Sequence, residues 1–186
     1  MTNPMPEYPC ANHKTTPLHN RRTVLRAAAT ALGAATMATT PWASAQTLAP
    51  NTALTDLQKR LTGRLLLPDD AAFQATNAPA NRHYEEVLPT AIARCADETD
   101  VVTCVQWCLE NGVAPVVRGG GHSYAGYSTT TGLLIDLREM RSVTVDRAAG
   151  TMTVDGGATN ADLFSVLHDS PHFLPGGICP TVGIGG

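Results

Sequence analysis

Residues 118–128 read Arg-Gly-Gly-Gly-His-Ser-Tyr-Ala-Gly-Tyr-Ser. Three consecutive glycines are costly to order, because glycine loses more conformational freedom on folding than any other residue. They follow residues 113–117, a β-branched run that predicts a strand. A strand that ends in a glycine-rich turn can aim several backbone N–H groups at one ligand. The stretch therefore predicts a ligand-binding loop.

This loop differs from the two common phosphate-binding loops. A Walker loop ends in Gly-Lys-Ser/Thr, and no lysine lies near these glycines. A dinucleotide fingerprint opens a helix, whereas residues 123–128 form a polar loop. From the residues alone, His122 can be a metal ligand, a general base or a nucleophile.

Helix-capping and turn residues around this loop predict alternating strands and helices. Asp97 is expected to cap a helix that ends at Asn111 and Gly112, and Thr159 or Asn160 to cap a second one. The helical spacing of apolar residues in the first helix predicts an inward face of Val101, Val102, Val105 and Leu109. Strands are expected over residues 89–95, 113–117, 133–137, 143–146 and 151–154.

The first 45 residues predict a twin-arginine export signal. Arg21 and Arg22 precede a weakly apolar stretch rich in alanine and threonine, and residues 43–45 form a small-x-small cleavage motif. A basic helix or membrane anchor is the alternative, but the apolar stretch is short and threonine-rich for a span. We expect the twin-arginine machinery as an export partner, a periplasmic or secreted product, and no stable membrane association after cleavage.

The composition is that of a globular protein. The 186 residues are 43% hydrophobic and 16% charged, with a formal net charge of -3, so nucleic acid is not an expected partner. Removing residues 1–45 leaves 9 basic and 15 acidic residues, an acidic product.

Cysteine and histidine spacing gives little support for a metal site. Cys104 and Cys108 are four apart on a predicted helix, but two thiolates without further ligands favour small buried residues. His168 and His172 are also four apart, but Pro171 interrupts the helix that would align them. We therefore expect no metal.

A second glycine-rich stretch ends the sequence. Residues 175–186 read Pro-Gly-Gly-Ile-Cys-Pro-Thr-Val-Gly-Ile-Gly-Gly and lead into no further element, so we expect a fragment of a longer protein. Each glycine-rich loop carries one nucleophilic side chain, His122 in the first and Cys179 in the second. A cysteine hydrolase built on this pair fits poorly, because Pro180 and two glycine loops do not resemble such a site.

The two loops together resemble the berberine bridge enzyme-like flavin oxidases, which share the FAD-binding domain of vanillyl-alcohol oxidase and para-cresol methylhydroxylase. The resemblance rests on residues 116–126, 135–137 and 175–186, and it runs from about Tyr84 to Gly186. It implies an α+β fold, the N-terminal part of a PCMH-type FAD-binding domain with small mixed sheets and flanking helices. The expected organisation is the signal over 1–45, a lead-in over 46–83 and this domain, truncated, over 84–186.

The resemblance also implies a site. In that family the histidine of the first loop and the cysteine of the second bond to the flavin, so His122 and Cys179 are expected to attach FAD bicovalently. Cofactor contacts are further implied for Arg118, Gly119, Gly120, Gly121, Ser123, Gly126, Pro175, Gly176, Gly177, Val182, Gly183, Gly185 and Gly186. The catalytic base is expected beyond Gly186.

The implied activity is that of an FAD-dependent oxidase. It removes a hydride from a small carbohydrate or secondary-metabolite substrate and passes the electrons to oxygen, which gives hydrogen peroxide. Two alternatives stay open: a flavin dehydrogenase attached only through His122, and a non-catalytic truncated remnant that binds FAD or nothing. The fragment alone is expected to be inactive.

Overall fold

Four short strands form the central sheet of the computed structural model, which describes residues 51–186. They are β1 (Arg64–Leu66), β2 (Ala91–Arg94), β3 (Pro115–Arg118) and β4 (Leu133–Asp136). Their order across the sheet is β1-β2-β4-β3. β1 is antiparallel to β2, while β2 and β3 each run parallel to β4 between them. This mixed sheet confirms the predicted α+β class.

Parallel strands need long connections, and two different ones are used here. Helix α3 (Glu98–Asn111) joins β2 to β3, whereas residues 119–132 join β3 to β4 without a helix. The remaining helices are α1 (Asn51–Arg60), α2 (Phe73–Asn77) and α4 (Asn160–Leu167), with a 3-10 turn at Arg82–Tyr84. An antiparallel hairpin of β5 (Val143–Asp146) and β6 (Thr151–Val154) leads to α4, as predicted.

The side chains of the sheet alternate between two apolar clusters, one on each face. The larger cluster lies under α1 and α3 and includes Leu57, Leu65, Ala91, Ala93, Cys104, Trp107, Leu133 and Ile135. The smaller cluster lies against α2 and contains Leu66, Phe73, Ile92 and Leu134. Successive residues of a strand point to opposite faces, so three-residue runs such as 133–135 supply both clusters.

Both ends of α3 are as predicted. The Asp97 side chain accepts a hydrogen bond from the Asp100 N–H at 3.0 Å, and the helix ends at Gly112 in the left-handed conformation. Thr159 caps α4 in a capping box with Asp162, which resolves the choice between Thr159 and Asn160.

The inward face of α3 was predicted wrongly except at Val101, which packs partly buried against the larger cluster. Val102 and Leu109 are 54% and 69% exposed, whereas Cys104, Trp107 and Cys108 are buried. The Trp107 indole fills the space under α1 and donates a hydrogen bond to the Ala53 carbonyl at 3.0 Å. A large aromatic residue therefore determined which face turned inward, since valines and leucine at helical spacing could have packed either way.

The segment expected as a lead-in contributes to the same core. Leu54 and Leu57 of α1 are buried in the larger cluster, and β1 pairs with β2. The boundaries at 45 and 83 stay predictions, and the predicted export signal lies outside the described residues. No helix within residues 51–186 has the length and apolarity needed to cross a membrane.

Paired leucine truncations test this packing. Leu57→Ala removes a wholly buried side chain and should lower the free energy of unfolding by about 2–5 kcal/mol. Leu109→Ala makes the same change on the exposed face of α3 and should alter it by less than about 0.5 kcal/mol. Urea unfolding of both variants measures the difference. A loss of unfolding free energy in Leu57→Ala as small as that in Leu109→Ala would place α1 outside the core.

Candidate functional site

The two predicted loops meet at one cleft of about 560 Å³. Backbone forms most of its wall, because seven of the lining residues are glycines. The lining residues are Val117, Arg118, Gly119, Gly120, Gly121, His122, Ser123, Tyr127, Ser128, Leu137, Gly156, Val182, Gly183, Gly185 and Gly186.

The loops approach each other too closely for side chains. A Cβ on Gly120 would overlap the backbone nitrogen of Gly183. The carbonyl oxygen of Gly156 would lie 2.7 Å from a Cβ on Gly119 and 2.7 Å from one on Gly185, distances that real Cβ atoms essentially never show. Three glycine segments thus pack backbone against backbone.

The second loop is fixed by α4 and the residues before it. Thr159 forms an isolated antiparallel bridge with Gly183, and the Ile184 N–H donates to the Ala158 carbonyl at 2.9 Å. The buried Asn160 side chain donates to two loop carbonyls, Gly177 at 3.1 Å and Cys179 at 2.9 Å. The start of α4 therefore holds the loop in place.

The first loop presents a run of free backbone donors. Within residues 51–186, no hydrogen bond is formed by the backbone N–H groups of residues 119–123. All five residues line the cleft. Consecutive N–H groups without internal acceptors make a concavity suited to an anion, so the cleft fits the diphosphate of a dinucleotide cofactor.

A buried cation lies beneath this loop. The Arg118 guanidinium is 1% exposed and donates to the carbonyls of Thr76, Asn77 and Ser128 at 2.8–3.1 Å. Burial lowers the pKa of Arg118 to about 10, which leaves it charged at neutral pH. Its Cδ would lie 3.5 Å from a Cβ on Gly121. The backbone of Arg118 lines the cleft while its side chain fastens the loop to α2.

A second arginine completes the buried network. Asp136, 1% exposed, accepts hydrogen bonds from the Arg138 guanidinium at 2.6–3.1 Å, and these bonds raise the pKa of Arg138. Arg138 also donates to the Thr76 carbonyl at 2.7 Å. Arg118 and Asp136 are paired in the sheet register, so both groups lie at the carboxyl ends of parallel strands.

One side-chain contact joins the two loops at the cleft. The His122 Nε2 atom lies 2.9 Å from Thr181 Oγ1, a hydrogen-bond distance. Cys179 is two residues before Thr181, and its thiol is free and exposed. The structure therefore brings His122 against the loop that carries Cys179.

Five residues predicted as cofactor contacts lie outside the cleft lining. A Cβ on Gly126 would lie 2.6 Å from the Tyr84 ring, so this glycine accommodates an aromatic neighbour. Gly176 and Gly177 lie against Asn160. Pro175 and Cys179 are exposed in the same segment. Their contacts to a cofactor stay predictions.

The three buried cysteines differ from Cys179. Burial raises the pKa of the Cys108 thiol to about 12, and a hydrogen bond with Cys104 together with burial raises that of Cys95. All four are free, and no group of three or more His, Cys, Asp or Glu side chains in the described part of the chain could hold a metal ion. Cys104 and Cys108 are core residues, as predicted.

Three residues of this site are not predicted from the sequence. Gly156 follows β6 in an adjacent glycine pair, a local signal that could have been used. The sequence predicts Asn160 only as a helix cap and predicts no role for Thr181. Nothing local predicts the contacts of Asn160 and Thr181, because each depends on a partner 17 or more residues away in the sequence.

The sequence matches the model of a family described as an FAD binding domain over residues 89–186, more than half of the chain. It is 37% identical over 105 residues to (R)-6-hydroxynicotine oxidase of Paenarthrobacter nicotinovorans, covering 55% of this chain and 22% of that protein. It is 35% identical over 109 residues to Berberine bridge enzyme-like 5 of Arabidopsis thaliana, covering 56% of this chain and 20% of that protein.

A solved structure agrees with these matches. Wild-type Phl p 4.0202, a glucose dehydrogenase, superposes with a TM-score of 0.67 at 30% identity, over 73% of this chain and 30% of that one. The chain thus spans about a fifth of the length of the two curated relatives. Fold, cleft and family match agree: the chain belongs to the FAD-binding domain family of the berberine bridge enzyme-like FAD-linked oxidoreductases.

Proposed function

We propose that this chain is the FAD-binding part of an oxidase that holds FAD through two covalent bonds, one to His122 and one to Cys179. The observation that carries the proposal is the cleft itself. Five free backbone N–H groups, a buried cation beneath them and a wall of glycine backbone match the needs of a diphosphate.

The chain's own residues have separate roles toward the cofactor. Residues 119–123 donate N–H groups to the diphosphate, and Val182, Gly183 and Gly185 form the opposite wall. His122 supplies a ring nitrogen and Cys179 a sulfur, the two nucleophiles of the loops. When bound, FAD accepts a hydride from the substrate and passes the electrons to oxygen, giving hydrogen peroxide.

The substrate proposed is a small molecule with an oxidisable carbon–hydrogen bond, a carbohydrate or a secondary metabolite. Relatives of both kinds support it, because one is named a 6-hydroxynicotine oxidase and another a glucose dehydrogenase. The glucose dehydrogenase among these relatives supports a flavin dehydrogenase as the alternative activity. Attachment through His122 alone would fit that alternative.

We further propose that the protein is exported, as the paired arginines and cleavage motif of residues 1–45 indicate. Loading the cofactor before export would then precede release into the periplasm or medium. N-terminal sequencing of the mature protein tests this: a start at Gln46 is expected, and an intact residue 1 would contradict it.

Gly120→Ala tests the cleft as the FAD site. The new Cβ would overlap the Gly183 backbone and push the two loops apart, so FAD affinity should fall at least about tenfold. Titration of the flavin-free full-length protein with FAD, followed by fluorescence quenching, measures this.

The matched control is Gly150→Ala in the turn between β5 and β6. Gly150 has φ +65° and no neighbour within 4 Å of an added Cβ, so the change costs about 1 kcal/mol of stability through backbone strain alone. Its FAD affinity should stay at the wild-type value. Equal FAD affinity in the two variants would show that FAD binds outside this cleft.

Single and double substitutions test the covalent bonds. His122→Ala and Cys179→Ala should each retain flavin with the acid-precipitated protein, and only the double variant should release all of it. Peptide mass spectrometry then shows which residue carries the flavin. Complete release from the wild-type protein would refute covalent attachment, and attachment lost in His122→Ala alone would support the dehydrogenase alternative. Peroxide release in air separates an oxidase from a dehydrogenase.

A further inference from the structure

We infer that Thr181 is a positioning residue for His122: its hydroxyl holds the imidazole by Nε2, so that Nδ1 is the nitrogen that bonds to the flavin. This inference rests on the proposed covalent attachment at His122. The observation behind it is the 2.9 Å contact between His122 Nε2 and Thr181 Oγ1.

The His122 ring needs such an anchor. It follows three glycines, which supply no side chains for the ring to pack against. Thr181 Oγ1 is the single hydrogen-bond partner that its ring has within the described residues. Removing that partner would free the ring to rotate about its side-chain bonds.

Thr181 is well placed to act as an anchor, because the backbone around it is fixed. The Val182 N–H donates to the Cys179 carbonyl at 3.2 Å, and the Asn160 N–H donates to the Val182 carbonyl at 3.0 Å. The Thr181 carbonyl would lie 2.8 Å from a Cβ on Gly120, so both loops constrain the residue. A β-branched side chain on such a backbone has few rotamers.

The Thr181 hydroxyl can donate to Nε2 or accept from it, and the inferred arrangement is the one in which it accepts. When Nε2–H donates to the hydroxyl oxygen, the neutral imidazole carries its free lone pair on Nδ1. That lone pair makes Nδ1 the nucleophile. In this arrangement Thr181 holds the ring orientation and leaves Nδ1 as the reacting atom.

The attachment step balances with dioxygen as the oxidant. One C–N bond would form between His122 Nδ1 and the methyl carbon of the flavin, while one methyl C–H bond and the His122 Nε2–H bond would be lost. The two hydrogens, with two electrons, reduce dioxygen to hydrogen peroxide. His122 needs no further reactant from the protein beyond a correctly placed neutral ring.

The test uses the full-length protein with Cys179→Ala, so that His122 is the only proposed attachment point. Thr181→Val keeps the side-chain shape but removes the hydroxyl, and Thr181→Ser restores a hydroxyl. The control is Thr153→Val, the same change at an exposed position of β6. Two quantities are measured in each variant: total FAD bound, and the fraction of the His122 peptide that carries flavin, by mass spectrometry.

Thr181→Val should retain total FAD within about twofold, while the ratio of flavin-bearing to unmodified His122 peptide falls up to about tenfold, the effect of one lost hydrogen bond. Thr181→Ser should recover most of that ratio, and Thr153→Val should match the parent. Nitrogen NMR of the flavin-free proteins should show the lone pair on His122 Nδ1 in the parent and a mixture of tautomers in Thr181→Val.

Three results would overturn the inference. An unchanged flavin ratio in Thr181→Val would show that the hydroxyl has no role. A parallel loss of total FAD would make Thr181 merely structural. Flavin absent from the His122 peptide in every variant, the parent included, would refute the proposed attachment itself and this inference with it.

Discussion

Backbone-to-backbone contact among three glycine segments is the constraint on which the cleft depends. Gly120 meets Gly183, and the Gly156 carbonyl touches the positions where side chains of Gly119 and Gly185 would begin. Because no Cβ intervenes, the two ligand loops lie near enough for the His122 and Thr181 side chains to meet. The same absence of side chains leaves N–H groups as the surface that a ligand encounters.

The positive charge of Arg118 beneath this surface acts on a ligand in the cleft through its electric field. The buried Arg118 guanidinium donates to three backbone carbonyls through Nε and Nη1, while its Nη2 has no hydrogen-bond partner within the described residues. Asp136, the nearest carboxylate in the sheet register, is engaged by Arg138. A net positive charge therefore remains under the free N–H groups, where a diphosphate gains from it without displacing any internal hydrogen bond.

Local signals explain what could be predicted from the sequence. The cap at Asp97, the stop at Gly112 and the hairpin turn are each encoded within a few residues, and all are found as expected. The inward face of α3 was missed, because packing of the large Trp107 under α1 decided it. Which residues meet across the cleft depends on long-range pairing, so the contacts of Asn160 and Thr181 had no local sign.

The two nucleophiles differ in how much freedom they retain. His122 is half-buried and hydrogen-bonded, in a loop that continues directly from a sheet strand. Cys179 has its carbonyl held by Asn160, while its thiol is exposed and without a partner in the described chain. The proposed bond at His122 would thus order little further, whereas the proposed bond at Cys179 would also have to fix a side-chain rotamer. Since Thr181 belongs to the loop of Cys179 and contacts His122, a single hydrogen bond links the placement of one nucleophile to the loop that carries the other.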